Sequence, residues 1–353
     1  MVINQLKLIN IIHLPFVLLF ILLPFSILSG PFLTNLTVTL LALYALIFII
    51  IYKKYNILKN HIFLIVLFFW LISILSSSLS LDPIVSFSSS IPYIRFIFFS
   101  FGIAIILNLR NNYINYFGVS IILCFSLVII DAYYQYLTGS NFLGWKKNVN
   151  RLSGLFKEEL ILGSFLVRLF PVLLIFILKI LKNKNIYLNF LCFVFLLLIE
   201  ILIFLSGERT AFFFLIMETF LILIFVPDLR KFKLLILLSI IVSGIILISN
   251  FPHLKNRMID VTIKQIQKNI SSDKEIENSD LAGNNEVNFE ILQNKNFYNK
   301  LESKTKENHY FRLPNLPVSV HHQAIYQKAF DYFFKEPFIG IGPKMFRKLC
   351  QKD

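Results

Sequence analysis

Nine apolar runs, each close to the length of a bilayer-crossing helix, constrain the fold of this chain more than any other feature. A helix needs about 20 apolar residues to cross the hydrocarbon core of a membrane. With 57% hydrophobic and only 15% charged residues, the chain also lies outside the usual range of soluble domains. The sequence therefore predicts an all-α, polytopic transmembrane bundle of about nine spans. The runs cover residues 8–28, 32–52, 62–80, 92–109, 114–137, 160–181, 186–206, 209–227 and 232–251.

Lysine and arginine residues predict which side of the membrane each loop faces, because positive loops stay cytoplasmic. With the N-terminus inside, eleven basic residues fall in short inner segments and five in outer ones. The inner set is Lys7, Lys53, Lys54, Lys59, Arg110, Lys179, Lys182, Lys184, Arg230, Lys231 and Lys233. The outer set is Lys146, Lys147, Arg151, Lys157 and Arg209. We therefore expect a cytoplasmic N-terminus, with the 137–159 loop and residues after about 252 on the outer face.

The chain divides by composition into a membrane bundle, residues 1–251, and a polar outer segment, residues 252–353. Within that segment, residues 254–270 and 322–335 have the spacing of amphipathic helices. Ile325, Ala329, Tyr332 and Phe333 are expected on one face of the second helix. Residues 271–307 are rich in Asn, Lys, Glu and Ser, so the segment is predicted to be only partly ordered.

The net charge of +14 does not indicate a nucleic-acid partner. The basic residues are scattered in short clusters between apolar runs, which is typical of loops beside anionic lipids. The three cysteines have no neighbours with metal-ligand spacing, so neither a disulfide framework nor a metal site is expected. We therefore expect the lipid bilayer as a partner, and no nucleic acid and no metal.

Five ionisable residues interrupt the apolar runs, and all are expected in the outer half of the membrane. Charges inside spans are costly and by default indicate a functional site. At a rise of about 1.5 Å per residue, Arg168, Glu200 and Glu218 lie about 9 to 13 Å from the outer helix ends. The alternative is that Arg168 pairs with Glu200 or Glu218 only to hold helices together. The five are Arg95, Asp131, Arg168, Glu200 and Glu218.

Two further arginines, Arg151 and Arg209, are expected at the outer surface without an acidic partner in the span beneath them. Glu208 is too close to Arg209 in sequence to pair with it well. A guanidinium group binds phosphate oxygens in a bidentate way, so two outer arginines suit a diphosphate. Alternatively, both could be interfacial arginines that anchor helix ends.

A general base is harder to identify, and His322 is the candidate. His321 and His322 begin the second predicted amphipathic helix, where polar residues also occur simply as helix starts. No Cys, Asp or Glu completes a zinc spacing around them.

Over residues 131–347 the chain resembles the bacterial O-antigen ligase and polymerase family. The matching motifs are Leu205-Ser-Gly-Glu-Arg-Thr-Ala-Phe212; Arg151-Leu-Ser-Gly-Leu-Phe156 with Gly163; Asp131-Ala-Tyr-Tyr-Gln135 with Gly139 and Gly144; and Ala329, Phe333, Pro337, Gly340-Ile-Gly342 and Phe346. The four motifs occur in the family's order.

The resemblance implies a multi-span enzyme of the bacterial inner membrane with its site at the periplasmic face. Such an enzyme transfers a glycan from undecaprenyl diphosphate to an acceptor, which is lipid A-core for a ligase and another glycan for a polymerase. Arg151 and Arg209 would bind the diphosphate, with Arg168 and Arg95 as further substrate-binding candidates and Asp131, Glu200 and Glu218 as supporting charges. No cofactor is implied, and a histidine would act as general base.

The chain departs from the family pattern at its end. The family's His-Asn motif and the spans after it are not found before Asp353, and the glycines after His322-Gln323 lie too far on. A truncated or split member, which binds the carrier without necessarily catalysing transfer, is therefore expected. Two alternatives stay open: a polysaccharide exporter or flippase, and a nonfunctional fragment.

Overall fold

A computed structural model describes residues 13–110, 112–148, 151–181, 185–226, 230–260, 263 and 320–352. These residues are mainly helical. Two isolated bridges, Ser140 to Lys146 and Asn148 to Arg151, are the β-type pairings among them. The helices are α1 (Leu23–Leu28), α2 (Pro31–Ile51), α3 (His61–Ser78), α4 (Pro83–Ser90), α5 (Ile94–Leu109), α6 (Asn112–Thr138), α7 (Leu162–Leu181), α8 (Ile186–Leu205), α9 (Arg209–Phe225), α10 (Arg230–Asn250), α11 (Pro252–Lys255), α12 (Val320–Lys335) and α13 (Met345–Lys352).

The prediction of an all-α fold with several apolar helices of membrane-spanning length is confirmed. Seven helices in the described part of the chain are long and apolar enough to cross a membrane: α2, α3, the run Pro83–Leu109, α6, α7, α8 and α10. The expected count of nine is not confirmed. Window 8–28 begins outside the described residues, and window 209–227 is the 17-residue helix α9.

The fourth window was placed too late in the sequence. Its helical run starts at Pro83 rather than near residue 92, because the Asp82 side chain accepts a hydrogen bond from Val85 N. Proline at the first helical position suits such a start. A short 3₁₀ turn, Ile91–Tyr93, joins α4 to α5.

The chain forms two compact units. The first contains residues 1–45 and 99–261, and the second contains residues 46–98 and 262–353. In the first unit, α7 packs against α6, α8 and α9, and α10 packs against α8 and α9. Close packing is visible at Gly118, where an added Cβ would lie 2.4 Å from the Phe176 ring. The core of this unit is built from the buried apolar faces of α6, α7 and α8.

The two ends of this helix bundle differ in chemistry. At one end, residues 139–161 connect α6 to α7 and a tight turn connects α8 to α9; we call this the loop end. At the opposite end, Lys179 Nζ donates to Asn115 Oδ1 over 2.6 Å. There the buried Lys233 donates to the carbonyls of Ile222 and Val226 at the end of α9. A cation suits the partial negative charge of a helix C-terminus, so Lys233 stabilises α9 from the neighbouring helix.

In the second unit, α3 and α4 form a hairpin, and the segment that contains α13 packs on it. Ser76 Oγ lies 3.5 Å from the Gly340 carbonyl, and Lys344 Nζ lies 3.3 Å from Ser88 Oγ. Lys348 forms an ion pair with Asp82 at the hairpin tip. The predicted amphipathic helix at 322–335 is observed as α12, while most of residues 254–270 and all of 271–307 lie outside the described part.

Candidate functional site

Arg151 lies at the loop end of the first unit, and two elements hold it in place. Its Nη2 donates to the Leu160 carbonyl over 2.7 Å, and its Nε lies 3.5 Å from the Ser206 carbonyl. Nη2 is also 3.6 Å from Glu208 Oε1, and the Arg151 side chain remains 20% exposed. The guanidinium group is therefore fixed along one edge, while its Nη1 amino group has no hydrogen-bond partner among the described residues.

Glu208 is the centre of this cluster, and its place differs from the one expected. The sequence predicted that Arg151 has no acidic partner in the span beneath it, and Glu208, which lies beside Arg151, comes instead from the α8–α9 turn. The Glu208 carboxylate is 7% exposed. It accepts hydrogen bonds from Gly163 N at 2.9 Å and Ser164 N at 3.1 Å, and a third from Ser164 Oγ.

These contacts make Glu208 the cap of a helix to which it does not belong. Gly163 and Ser164 are in the first turn of α7, whose backbone N–H groups have no partner within the helix. A carboxylate there satisfies two donors and interacts favourably with the helix dipole. Glu208 precedes α9 but makes no side-chain cap on that helix. The start of α7 and the start of α9 are thus fixed to each other through one side chain.

Two glycines allow this arrangement. Gly207 has a φ of 68° in the turn between α8 and α9, a conformation that favours glycine. A Cβ on Gly163 would lie 2.4 Å from Ser206 Oγ and 3.2 Å from Ala211 Cβ. The backbone of α7 therefore contacts the turn directly, and this brings Arg151 to the residue that precedes Arg209.

Buried polar side chains of α6 and of the loop itself hold the loop that carries Arg151 in place. Gln135 accepts hydrogen bonds from Ser153 N and Gly154 N, and its amide donates to the Trp145 carbonyl. Asn141 donates to the Gly154 carbonyl and accepts from Trp145 N. Because its backbone is bonded at both ends to a membrane helix, this loop has a defined shape.

Asp131 belongs to the same buried layer. Its Oδ1 accepts a hydrogen bond from Phe142 N at 3.1 Å, whereas its Oδ2 accepts none from the described residues. The carboxylate therefore supports the loop at Phe142, and it lies beneath the loop surface, where its exposed fraction is 1%.

The outward surface of the loop end carries several cations. Arg209 is exposed at the start of α9, and Lys146 and Lys157 are exposed in the loop. Lys157 Nζ lies 5.2 Å from the Trp145 ring centre, and Lys147 Nζ lies 4.7 Å from that of Tyr136. Lysine ammonium groups and aromatic rings thus lie together at the loop end, in cation–π contacts.

The remaining predicted residues are not all brought to this cluster. Arg168 lies one helical turn after Ser164 on the same face of α7 and is exposed. Glu200 is buried and accepts a hydrogen bond from Ser239 on α10. Among the described side chains no ion pair joins Arg168 to Glu200 or Glu218. The alternative that such a pair holds the helices together is therefore not observed.

The other predicted residues lie apart in the chain. Glu218 is half-buried in α9, ten residues after Glu208 in a helix that runs away from the loop end. Arg95 belongs to the second unit, where its guanidinium lies 5.0 Å from the Phe96 ring centre. His322 is in α12, and its side chain lies outside the described part of the structure.

Sequence reasoning missed the roles of Glu208, Ser164, Gln135 and Asn141. One signal was available: α7 begins with Leu-Gly-Ser and has no capping residue before it, so another element had to supply an acceptor. Which element does so depends on the tertiary fold. In the described part of the chain, no group of three His, Cys, Asp or Glu side chains could hold a metal ion.

No protein-family model matches this chain, and neither a curated protein nor a solved structure is significantly similar to it.

Proposed function

We propose that this protein transfers a glycan from an undecaprenyl-diphosphate carrier to an acceptor sugar, as O-antigen ligases and polymerases do, at the periplasmic face of the bacterial inner membrane. One observation carries the proposal. Arg151 is fixed by Leu160, Ser206 and Glu208 so that its Nη1 edge is available, and it contacts the residue that precedes Arg209. Two guanidinium groups at one end of a membrane bundle suit the diphosphate of a lipid carrier.

The fixed geometry of Arg151 matters for catalysis as well as for binding. Charge develops on the diphosphate as its bond to the sugar breaks, and donors that are already oriented stabilise this charge without reorganising. Glu208 and the two backbone carbonyls bind the other edge of the guanidinium group. They also offset part of its charge, so that it can remain at the rim of an apolar bundle.

The reaction balances without a metal or a nucleotide. The acceptor hydroxyl oxygen attacks the anomeric carbon of the donor sugar, and the bond from that carbon to the diphosphate oxygen breaks. The electron pair leaves with undecaprenyl diphosphate, and a general base takes the hydroxyl proton. His322 is the base candidate from the sequence. The acceptor is lipid A-core or a second glycan.

The test is a transfer assay with purified protein in proteoliposomes, a glycan on undecaprenyl diphosphate and a lipid A-core acceptor, or lipid-linked glycan alone for a polymerase. We expect Arg209→Lys to lose most of the transfer, because an ammonium group cannot make the bidentate contact. Arg230→Lys, an exposed arginine at the opposite end of the bundle, should retain it. Absence of any new glycosidic bond would contradict the proposal, and movement of the glycan across the bilayer without bond formation would indicate an exporter.

A further inference from the structure

Helix α12 exposes a face of aromatic side chains. Phe330 and Phe333 are 41% and 57% exposed, and Phe338, just after the helix, is 91% exposed. Tyr326 and Phe334 are also exposed. The four helical positions fall within about 100° of the helix circumference, at 100° per residue. We call these five residues the aromatic face.

Three polar residues in the middle of α12 are less exposed than the aromatic face. Gln327, Lys328 and Asp331 are half-buried, and the Gln327 amide donates to Asp331 Oδ1 over 3.1 Å. A helix on a water-facing surface has the opposite distribution. Large exposed apolar patches on proteins mark surfaces that another apolar phase or partner covers.

The helix is tied to the end of a membrane-crossing helix pair within the same unit. Tyr332 on α12 makes an edge-to-face contact with Phe346 on α13, with ring centres 6.2 Å apart. The segment that contains α13 is bound to the α3–α4 hairpin through Lys348 and Asp82, and through Ser76 and Gly340. An added Cβ on Gly342 would lie 2.6 Å from Ser80 Cβ, so this turn packs directly on the hairpin.

The hairpin places this assembly at the membrane surface. Helix α3 has the length and composition of a membrane span and ends at Ser78. The residues that bind the α13 segment, Ser76 to Ser88, are at that end. Leu79, Leu81 and Ile84 of the hairpin tip are themselves 65–83% exposed, which is typical of residues that contact lipid rather than water. A helix fixed here is within reach of the headgroup region.

We infer that α12 is an interfacial helix, and that its aromatic face inserts into the headgroup–acyl boundary of the bilayer that α3 crosses. Aromatic rings prefer this boundary. The exposed cations just after the helix, Lys344 and Arg347, match the negative charge of anionic phospholipids. The inference is independent of any glycan chemistry, since it concerns the second unit and its lipid contacts.

Depth-dependent quenching of tryptophan fluorescence tests this inference. The full chain carries Trp70→Phe and Trp145→Phe, which remove both native tryptophans, together with Phe338→Trp. It is reconstituted into vesicles of phosphatidylcholine and phosphatidylglycerol with bromine on carbons 6 and 7 of the acyl chains. Because interfacial helices insert their apolar faces about 5–10 Å deep, we expect a loss of about half or more of the emission relative to unbrominated vesicles.

The matched control is Lys335→Trp in the same background, at a position opposite the aromatic face, which should be quenched by aqueous iodide rather than by brominated lipid. If Phe338→Trp fails to fold, Phe333→Trp provides the same reading. Iodide quenching of both aromatic-face variants without bromine quenching would overturn the inference. Protection from both quenchers would also overturn it, because protein would then cover the face, and a doubled mass in detergent would identify a second copy as that protein.

Discussion

At the scale of single residues, Glu208 determines the geometry of the candidate site. Its carboxylate binds two N–H groups and a hydroxyl at the start of α7 and lies beside the Arg151 guanidinium. A buried cation or anion is tolerated only when such partners surround it. Glu208 and Arg151 therefore each compensate the charge of the other. Because Glu208 and two carbonyls lie along the Nε–Nη2 edge of Arg151, the Nη1 group is left available.

We expect Glu208→Gln to lower the free energy of unfolding by about 1–3 kcal/mol, because the amide nitrogen cannot accept a hydrogen bond and one buried donor loses its acceptor. Thermal unfolding of the purified protein in detergent measures the change. Glu158→Gln, an exposed carboxylate in the adjoining loop, is the matched control and should leave the midpoint unchanged. Equal midpoints for both variants would show that Glu208 does not hold α7 in place.

At the scale of elements, contacts at the helix ends determine which helices are neighbours. The apolar helices are too similar in composition to determine this themselves. The spans offer little besides apolar packing to specify their neighbours. Side chains at their ends provide this specificity: Glu208 joins α9 to α7, Lys233 joins α10 to α9, and Lys348 joins α13 to the α3–α4 hairpin. These contacts determine which loops come together at each end.

The close approach of α7 to the α8–α9 turn predicts the effect of Gly163→Ala. The added methyl group would overlap Ser206 Oγ and move α7 away from the turn, at a cost of about 1–3 kcal/mol. The double variant Gly163→Ala, Ser206→Ala removes the nearest atom and should recover part of the loss in thermal stability. A Gly163→Ala protein as stable as the unchanged chain would contradict the packing described here.

The ion pair between Asp82 and Lys348 predicts a pH dependence. The hydrogen bond from Lys348, followed by that from Val85 N, lowers the pKa of the partly exposed Asp82 carboxyl below its ordinary value of 3.8. A lowered pKa means that the carboxylate contributes its stabilisation above this value and loses it as pH falls through the folded pKa. Docking of the α13 segment should therefore be constant from pH 8 to pH 5 and weaken only below about pH 4.

Asp82→Asn separates this ion pair from the helix cap, since asparagine can still accept the Val85 hydrogen bond. We expect faster amide hydrogen exchange in α13 at neutral pH for this variant, with unchanged exchange at the start of α4. Asp331→Asn, on α12, serves as the control for a carboxylate lost elsewhere in the same unit. Identical exchange in α13 for Asp82→Asn and the unchanged protein would contradict a docking role for the pair.

At the scale of the whole molecule, the periodicity and length of the apolar runs predicted most of the fold. The helical membrane class, the approximate spans and helix α12 could be predicted because apolar length and helical spacing are local properties of the sequence. The start of α4 at Pro83 and the partner of Arg151 could not, because the first depends on a cap and the second on a turn that brings distant residues together. Helical spacing also predicted that Phe333 shares one face of α12 with Ile325 and Ala329. In the structure Phe333 is exposed, whereas Ile325 and Ala329 are half-buried.

The orientation of the molecule remains a prediction, and a native cysteine allows it to be tested. Cys124 and Cys192 are buried, whereas Cys350 in α13 is exposed. We expect a membrane-impermeant maleimide to label Cys350 in intact spheroplasts of a bacterial host, because the α13 segment is predicted on the outer face. Cys350→Ser should abolish labelling, and Cys350→Ser with Lys231→Cys should be labelled only after permeabilisation. The reverse pattern would place the cluster around Arg151 on the cytoplasmic side.

The affinity of the purified protein in nanodiscs for undecaprenyl diphosphate is the most direct test of the two-arginine site. We predict that Arg151→Lys and Arg209→Lys each raise the dissociation constant about tenfold or more, because each loses charge-assisted hydrogen bonds worth about 1.5–3 kcal/mol. Arg230→Lys should leave it unchanged, and undecaprenol, which has no phosphate, should bind weakly to all variants. Equal affinity for undecaprenol and undecaprenyl diphosphate, or a diphosphate affinity that neither substitution changes, would contradict a diphosphate site at these arginines.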